Sequence, residues 1–116
     1  MISEVDIQDM KDLNDYQEAA WSTAMESARN SSYLYNGLAG EVGEVCGMYA
    51  KAIRDGISDP TKFTMDLKKE LGDCLWFISG LAKMSGLTLQ EVAEANIEKL
   101  YSRKQRGTIG GSGNER

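Results

Sequence analysis

Leu38-Ala39-Gly40-Glu41-Val42-Gly43-Glu44-Val45 has a counterpart in Leu67-Lys68-Lys69-Glu70-Leu71-Gly72-Asp73-Cys74. Both octets read Leu-x-x-Glu-apolar-Gly-acid-apolar. At about 100° per residue, Leu38, Val42, Val45 and Tyr49 form one stripe of a helix, and Leu67, Leu71, Cys74 and Ile78 form the equivalent stripe of another. Glu41 and Glu44 lie to one side of the first stripe, and Glu70 and Asp73 lie to the same side of the second. Packed antiparallel through these stripes, the two helices would bring four carboxylates together at the edge of a core.

The flanking sequence supplies the ends of these helices and two more. Asn14 followed by Gln17 is a capping-box signal that predicts a first helix from about Asp15 to Ala28. The polar stretch Arg29-Asn30-Ser31-Ser32 interrupts it, and a second helix runs from about Tyr35 to Arg54, ended by Asp55-Gly56. Asp59-Pro60 is an N-cap with proline at the first helical position, and it opens a third helix that lasts until Gly86. Thr88 with Glu91 is a second capping box and starts a fourth helix, to about Gln105. No segment alternates as a half-buried strand does. The expected fold is an all-α four-helix bundle, with residues 1–12 as an extension, 13–106 as the domain and 107–116 as a flexible Gly-rich tail.

Composition narrows the chemistry. One proline among 116 residues suits long helices. The absence of histidine removes Ser-His-Asp and Cys-His catalysis, histidine-containing zinc sites and the Glu-x-x-His pair of di-iron bundles. Two cysteines with no secretory signal predict free thiols in a reducing cytoplasm, and Cys46 and Cys74 read as small buried apolar residues. No apolar run is long enough to span a membrane. A net charge of −5 disfavours a nucleic-acid polymer as partner.

Four convergent carboxylates repel one another and resist ionisation unless a cation lies among them. Hard oxygen donors without histidine or a motif thiolate suit Mg²⁺, with Mn²⁺ as a substitute. Mg²⁺ commonly bridges protein carboxylates to substrate phosphates, which points to a diphosphate or triphosphate. A lone Glu-x-x-Glu more often marks a solvated face, but its duplication beside two apolar stripes favours a metal site. Gly43 and Gly72 each cost about 1 kcal/mol relative to alanine within a helix, so close backbone approach is expected at both.

In the fourth helix Asn96 falls inside the apolar stripe Leu89, Val92, Ala93, Ile97 and Leu100. It reads either as an interhelical hydrogen bond or as a ligand contact. Lys99 and Arg103 follow on a neighbouring line, as phosphate-binding side chains or as cations snorkelling at a helix end. Among the aromatic residues, Phe77, one turn beyond Asp73, and Trp21 are the candidates for stacking on a base; core packing is the commoner fate of such side chains.

Glu41-x-x-Glu44, a spacer, then Glu70-x-x-Asp73 resembles the signature of the MazG-like family of all-α nucleoside triphosphate pyrophosphatases. Asn14-Asp15-Tyr16-Gln17, Glu70-Leu71-Gly72-Asp73-Cys74-Leu75-Trp76 and Glu94-Ala95-Asn96-Ile97-Glu98-Lys99-Leu100 are similar to further family segments, so the likeness runs from about Leu13 to Arg106. The position three before the third acid, a lysine in some descriptions of the motif, is Leu67 here. The resemblance implies hydrolysis between the α and β phosphates to give a monophosphate and pyrophosphate. It implies that Glu41, Glu44, Glu70 and Asp73 hold Mg²⁺ and carry catalysis, and that Asn96 and Lys99 contact the nucleotide. It also implies a homodimer or homotetramer, and a deoxynucleotide substrate with dGTP or dCTP ahead of others. The competing readings are a non-enzymatic helical interaction protein with a solvated acidic face, and a carboxylate metal-storage bundle, which the missing histidines disfavour.

Overall fold

The computed structural model describes residues 7–107. The segment from Thr108 onward, most of the expected tail, lies outside the described residues, as do the first six residues of the extension. Four α-helices and two short 3₁₀ turns (Ile7–Asp9 and Glu26–Ala28) make up the fold: α1 Leu13–Ser22, α2 Ser31–Asp55, α3 Pro60–Met84 and α4 Leu89–Gln105. No strand occurs among the described residues. The chain is the expected all-α fold. The antiparallel pair α2–α3 is its largest contact, α1 packs on α3, and α4 packs on α1 and α3.

Two of the expected helix starts hold. Asp59 caps α3 by accepting from the Lys62 amide at 3.1 Å, with Pro60 in the first turn. Thr88 and Glu91 form a reciprocal capping box on α4. The first helix differs. Its N-cap is Asp12, which accepts from the Asp15 amide at 2.8 Å. Asn14 is instead spent on a distant contact, accepting from the Gln90 amide at 3.1 Å. The helix also stops at Ser22, well before Ala28. Ser22 and Thr23 hydroxyls bond back to the Ala19 and Ala20 carbonyls, both at 2.6 Å. The Arg29 side chain then takes the Trp21 and Ala24 carbonyls, both at 3.2 Å. These bonds satisfy the carbonyls that a continuing helix would have used. The polar stretch that follows is the cap of α2, where Asn30 accepts from the Tyr33 amide at 2.8 Å, so α2 begins at Ser31 rather than Tyr35.

Glycines set the α2–α3 register. Gly37 faces the Phe77 ring so closely that a Cβ would collide with it, and a Cβ on Gly80 would press on Leu34 at 3.1 Å and on Trp21 at 3.3 Å. Leu34 is fully buried and Phe77 is buried. The contact line therefore runs through Leu34, Gly37 and Glu41 on α2, against Gly80, Phe77 and Asp73 on α3. Gly43 and Gly72, expected at close approaches, have open space where a Cβ would stand.

The expected apolar stripes are only half covered. Leu38, Val45, Leu67 and Cys74 are half-buried, whereas Val42, Tyr49, Leu71 and Ile78 are exposed. The two helices meet along the neighbouring line, because that line carries the small residues that let their axes approach. Cys46 is likewise exposed, not buried, and both thiols are free. Most of the remaining buried apolar side chains are alanines (Ala20, Ala24, Ala28 and Ala82), with Leu89 beside them. A radius of gyration of 17.1 Å compares with about 13 Å for a compact domain of this length. The single chain is extended, with α1 and α4 packed on α3.

Candidate active site

The α2–α3 register brings Glu41 opposite Glu70 and Asp73. One carboxylate oxygen from each lies within 4.8 Å of the others, with Glu41 and Glu70 half-buried and Asp73 exposed. The pattern of duplicated acids thus converges as expected for three of its four members. Glu44 is exposed and stands outside this cluster, one turn along α2.

The electrostatics are those of carboxylates that repel one another. Partial desolvation and the carboxylates of Asp73, Glu70 and Glu44 hold the Glu41 carboxyl above the usual glutamate range. Desolvation, followed by Glu41, Asp73 and Glu70, also raises the neighbouring Cys74 thiol. Cys74 is not among the three clustered residues, whose ligand atoms are all carboxylate oxygens. On α1, desolvation and then Asp73 raise the Tyr16 phenol, which places α1 within electrostatic reach of the same site. The ion pairs described lie elsewhere, Arg54 with Asp55 and Lys62 with Asp66.

A groove of about 520 Å³ opens beside the cluster. Its α2 lining runs in chain order from Ser32 and Tyr33 through Asn36, Gly37 and Gly40 to Glu41 and Glu44, and Phe77 of α3 also lines it. Tyr33 and Phe77 are neighbours, their ring centroids 5.7 Å apart. Phe77 therefore has two roles, packing in the α2–α3 contact and lining the groove.

The other sequence-derived candidates are placed differently. Asn96 is exposed rather than sunk in a core stripe. With Lys99 it lines a separate groove of about 640 Å³ bounded by Leu87, Glu91, Val92 and Ala95, which shares no residue with the acidic groove. Arg103 is buried and lines neither groove. Trp21 is half-buried beneath the Arg29 guanidinium, 5.0 Å above its ring, and it also lines neither. Sequence reasoning missed Asn36 and left Tyr33 unranked among the aromatic residues that could stack on a base. Tyr33 and Asn36 reach the groove along the i, i+4 lines that end in Glu41 and Glu44, respectively.

Gln17, read as part of a helix cap, holds the α3–α4 turn instead. Its amide nitrogen donates to the Ser79 and Leu87 carbonyls at 3.3 and 3.0 Å, and its oxygen accepts from the Leu89 amide at 3.0 Å. Trp76 ties α3 to the end of α1, its indole N–H reaching the Ala20 carbonyl and the Thr23 hydroxyl. Together these bonds fix α1 against the face of α3 that carries Asp73 and Phe77.

Comparison with known proteins gives two findings. The family model for the MazG nucleotide pyrophosphohydrolase domain matches residues 29–108. The Gene 37 protein of Mycobacterium phage L5 is 39% identical over 109 residues, covering 87% of this chain and 96% of its own length. No solved structure matches the chain significantly.

Proposed function

Because the chain belongs to the MazG nucleotide pyrophosphohydrolase family, we propose that it hydrolyses nucleoside triphosphates between the α and β phosphates, releasing a nucleoside monophosphate and pyrophosphate. On this reading the substrate is a deoxynucleotide, with dGTP or dCTP first. The reaction runs in the cytoplasm with Mg²⁺, for which Mn²⁺ can substitute. The observation that supports it best is the meeting of Glu41, Glu70 and Asp73 from two helices, with ligand atoms within 4.8 Å of one another.

The donor set fits such a cation. It offers three hard carboxylate oxygens and neither imidazole nor thiolate, and the raised Glu41 carboxyl marks desolvation together with the repulsion of its acidic neighbours. When bound, the cation neutralises the triphosphate and polarises the α-phosphorus. Glu41, Glu70 and Asp73 would hold it, and Glu44 would supply the fourth carboxylate from the next turn of α2. Water adds at the α-phosphorus, one of the carboxylates takes its proton, and the bond to the bridging oxygen breaks. Pyrophosphate departs with the bonding electrons.

Self-association as a dimer or tetramer belongs to the same reading. Val42, Tyr49, Ile53, Met65 and Leu71 are all exposed on the α2–α3 hairpin, an apolar surface that a second copy would cover. Asn96 and Lys99 line a groove of their own, so they would contact the nucleotide from a neighbouring copy. No described helix is long and apolar enough to cross a membrane. The test is turnover of the common ribo- and deoxynucleoside triphosphates with Mg²⁺. Pyrophosphate release, fastest for deoxynucleotides, is the expected result, and a chain inert toward all of them would end the proposal.

A further inference from the structure

Two aromatic residues line the groove beside the acidic cluster, Tyr33 from α2 and Phe77 from α3. Their ring planes are tilted by 40°. They differ in what they offer a ligand. Phe77 is only 8% exposed, its ring held against Gly37 and met by the Trp76 ring at 5.0 Å in a T-shaped contact. Tyr33 is 48% exposed. It also lines a second hollow of about 220 Å³, whose walls include Ala24, Met25, Ala28 and Trp76, so it borders two open spaces.

The two spaces differ in charge. The smaller hollow has no carboxylate in its lining, whereas the groove carries Glu41 and Glu44. Tyr33 starts the ridge Tyr33–Gly37–Glu41 of α2 and is fixed in the first turn, its amide donating to the Asn30 cap at 2.8 Å. From Tyr33 to Glu41 the helix advances about 12 Å at 1.5 Å per residue. Phosphates bound through a cation belong at the carboxylates, and the rest of the groove lies toward the start of α2. A sugar placed there carries its base toward Tyr33, whose ring is open where that of Phe77 is covered.

We propose that Tyr33 is a substrate-binding residue on whose ring the nucleobase stacks, and that Phe77 supports this ring from the helix contact without itself receiving the base. The inference rests on the nucleotide reading of the acidic groove, because that reading puts the phosphates at the carboxylates. Stacking uses the π-face that every base has, so Tyr33 adds affinity for all nucleotides, and most for the larger face of a purine.

The test is equilibrium binding, with Mg²⁺ present, of the α,β-imido analogues of dGTP and dCTP and of inorganic tripolyphosphate. Tyr33→Ala should weaken both analogues about tenfold, the purine more than the pyrimidine, and leave tripolyphosphate unchanged. Tyr33→Leu, which keeps apolar bulk beside Phe77 but not the ring, should lose most of the same affinity, and Tyr33→Phe should bind as the unaltered protein does. Undiminished analogue binding by Tyr33→Ala and Tyr33→Leu, an equal loss for tripolyphosphate, or weak binding by Tyr33→Phe would overturn the assignment. If Tyr33 governs analogue binding but no nucleoside triphosphate yields pyrophosphate, the hydrolytic reading fails and the stacking role of Tyr33 stands.

Discussion

Gly37 lies directly against the Phe77 ring, in a contact that leaves no room for a Cβ. This one approach sets the spacing of α2 and α3 beside the acidic cluster, since Glu41 follows Gly37 by one turn and Asp73 precedes Phe77 by one turn. Gly37→Ala must push the ring aside or separate the helices. It should destabilise the chain by about 1–3 kcal/mol, the usual cost of overpacking. Gly43→Ala and Gly72→Ala meet open space, so each should stabilise it by up to about 1 kcal/mol through helix propensity. Urea unfolding of the three variants checks the contrast in sign.

Gln17 is buried, and its three hydrogen bonds hold α1 to the α3–α4 turn. Gln17→Leu keeps the volume but leaves two carbonyls and one amide without this partner. The expected loss is roughly 2–4 kcal/mol. Amide hydrogen exchange should show the Leu89 N–H losing protection before the centre of α3 does.

The contrast between Gln17 and Asp59 explains how much of this fold was legible. Caps made by near neighbours could be read directly: Asp59-Pro60 and Thr88 with Glu91 each satisfy an amide three residues away, so position in sequence is position in space. Asn14 and Gln17 carry the same local signal, yet their amides serve Gln90, Ser79, Leu87 and Leu89. Only tertiary structure decides between these uses. The acidic set was legible in part, because helical spacing and the duplicated pattern place Glu41, Glu44, Glu70 and Asp73 on facing sides, and three of these four meet. Their exact seam was not. Periodicity identified the more apolar line of each helix, whereas the helices meet on the line that carries Gly37 and Gly80. Asn96 looked anomalous within an apolar stripe, but much of that stripe is exposed in the single chain, with Val92 and Ile97 open to solvent.

The acidic cluster also predicts a pH dependence. The Glu41 carboxyl is raised in the folded chain by desolvation and then by Asp73, Glu70 and Glu44. The folded state therefore binds this proton more tightly than the unfolded state does. The contribution is favourable below the ordinary glutamate range and is lost as pH rises through the raised folded value. With chelator present, unfolding across that range should show the unaltered protein losing stability relative to Glu41→Gln as pH increases. Adding Mg²⁺ should remove the difference in slope. Parallel profiles for the two proteins would mean that Glu41 feels no such repulsion.

The central claim is that carboxylates held by α2 and α3 direct water to the α-phosphorus of a nucleoside triphosphate. Turnover of dGTP or dCTP in heavy-oxygen water, with products resolved by mass and by phosphorus resonance, tests it most directly. The expected result is monophosphate and pyrophosphate, with the label in the monophosphate alone, a strict need for Mg²⁺ or Mn²⁺, and no turnover by a folded Glu70→Gln variant. Diphosphate with inorganic phosphate, label in the pyrophosphate, or undiminished turnover by Glu70→Gln would contradict it.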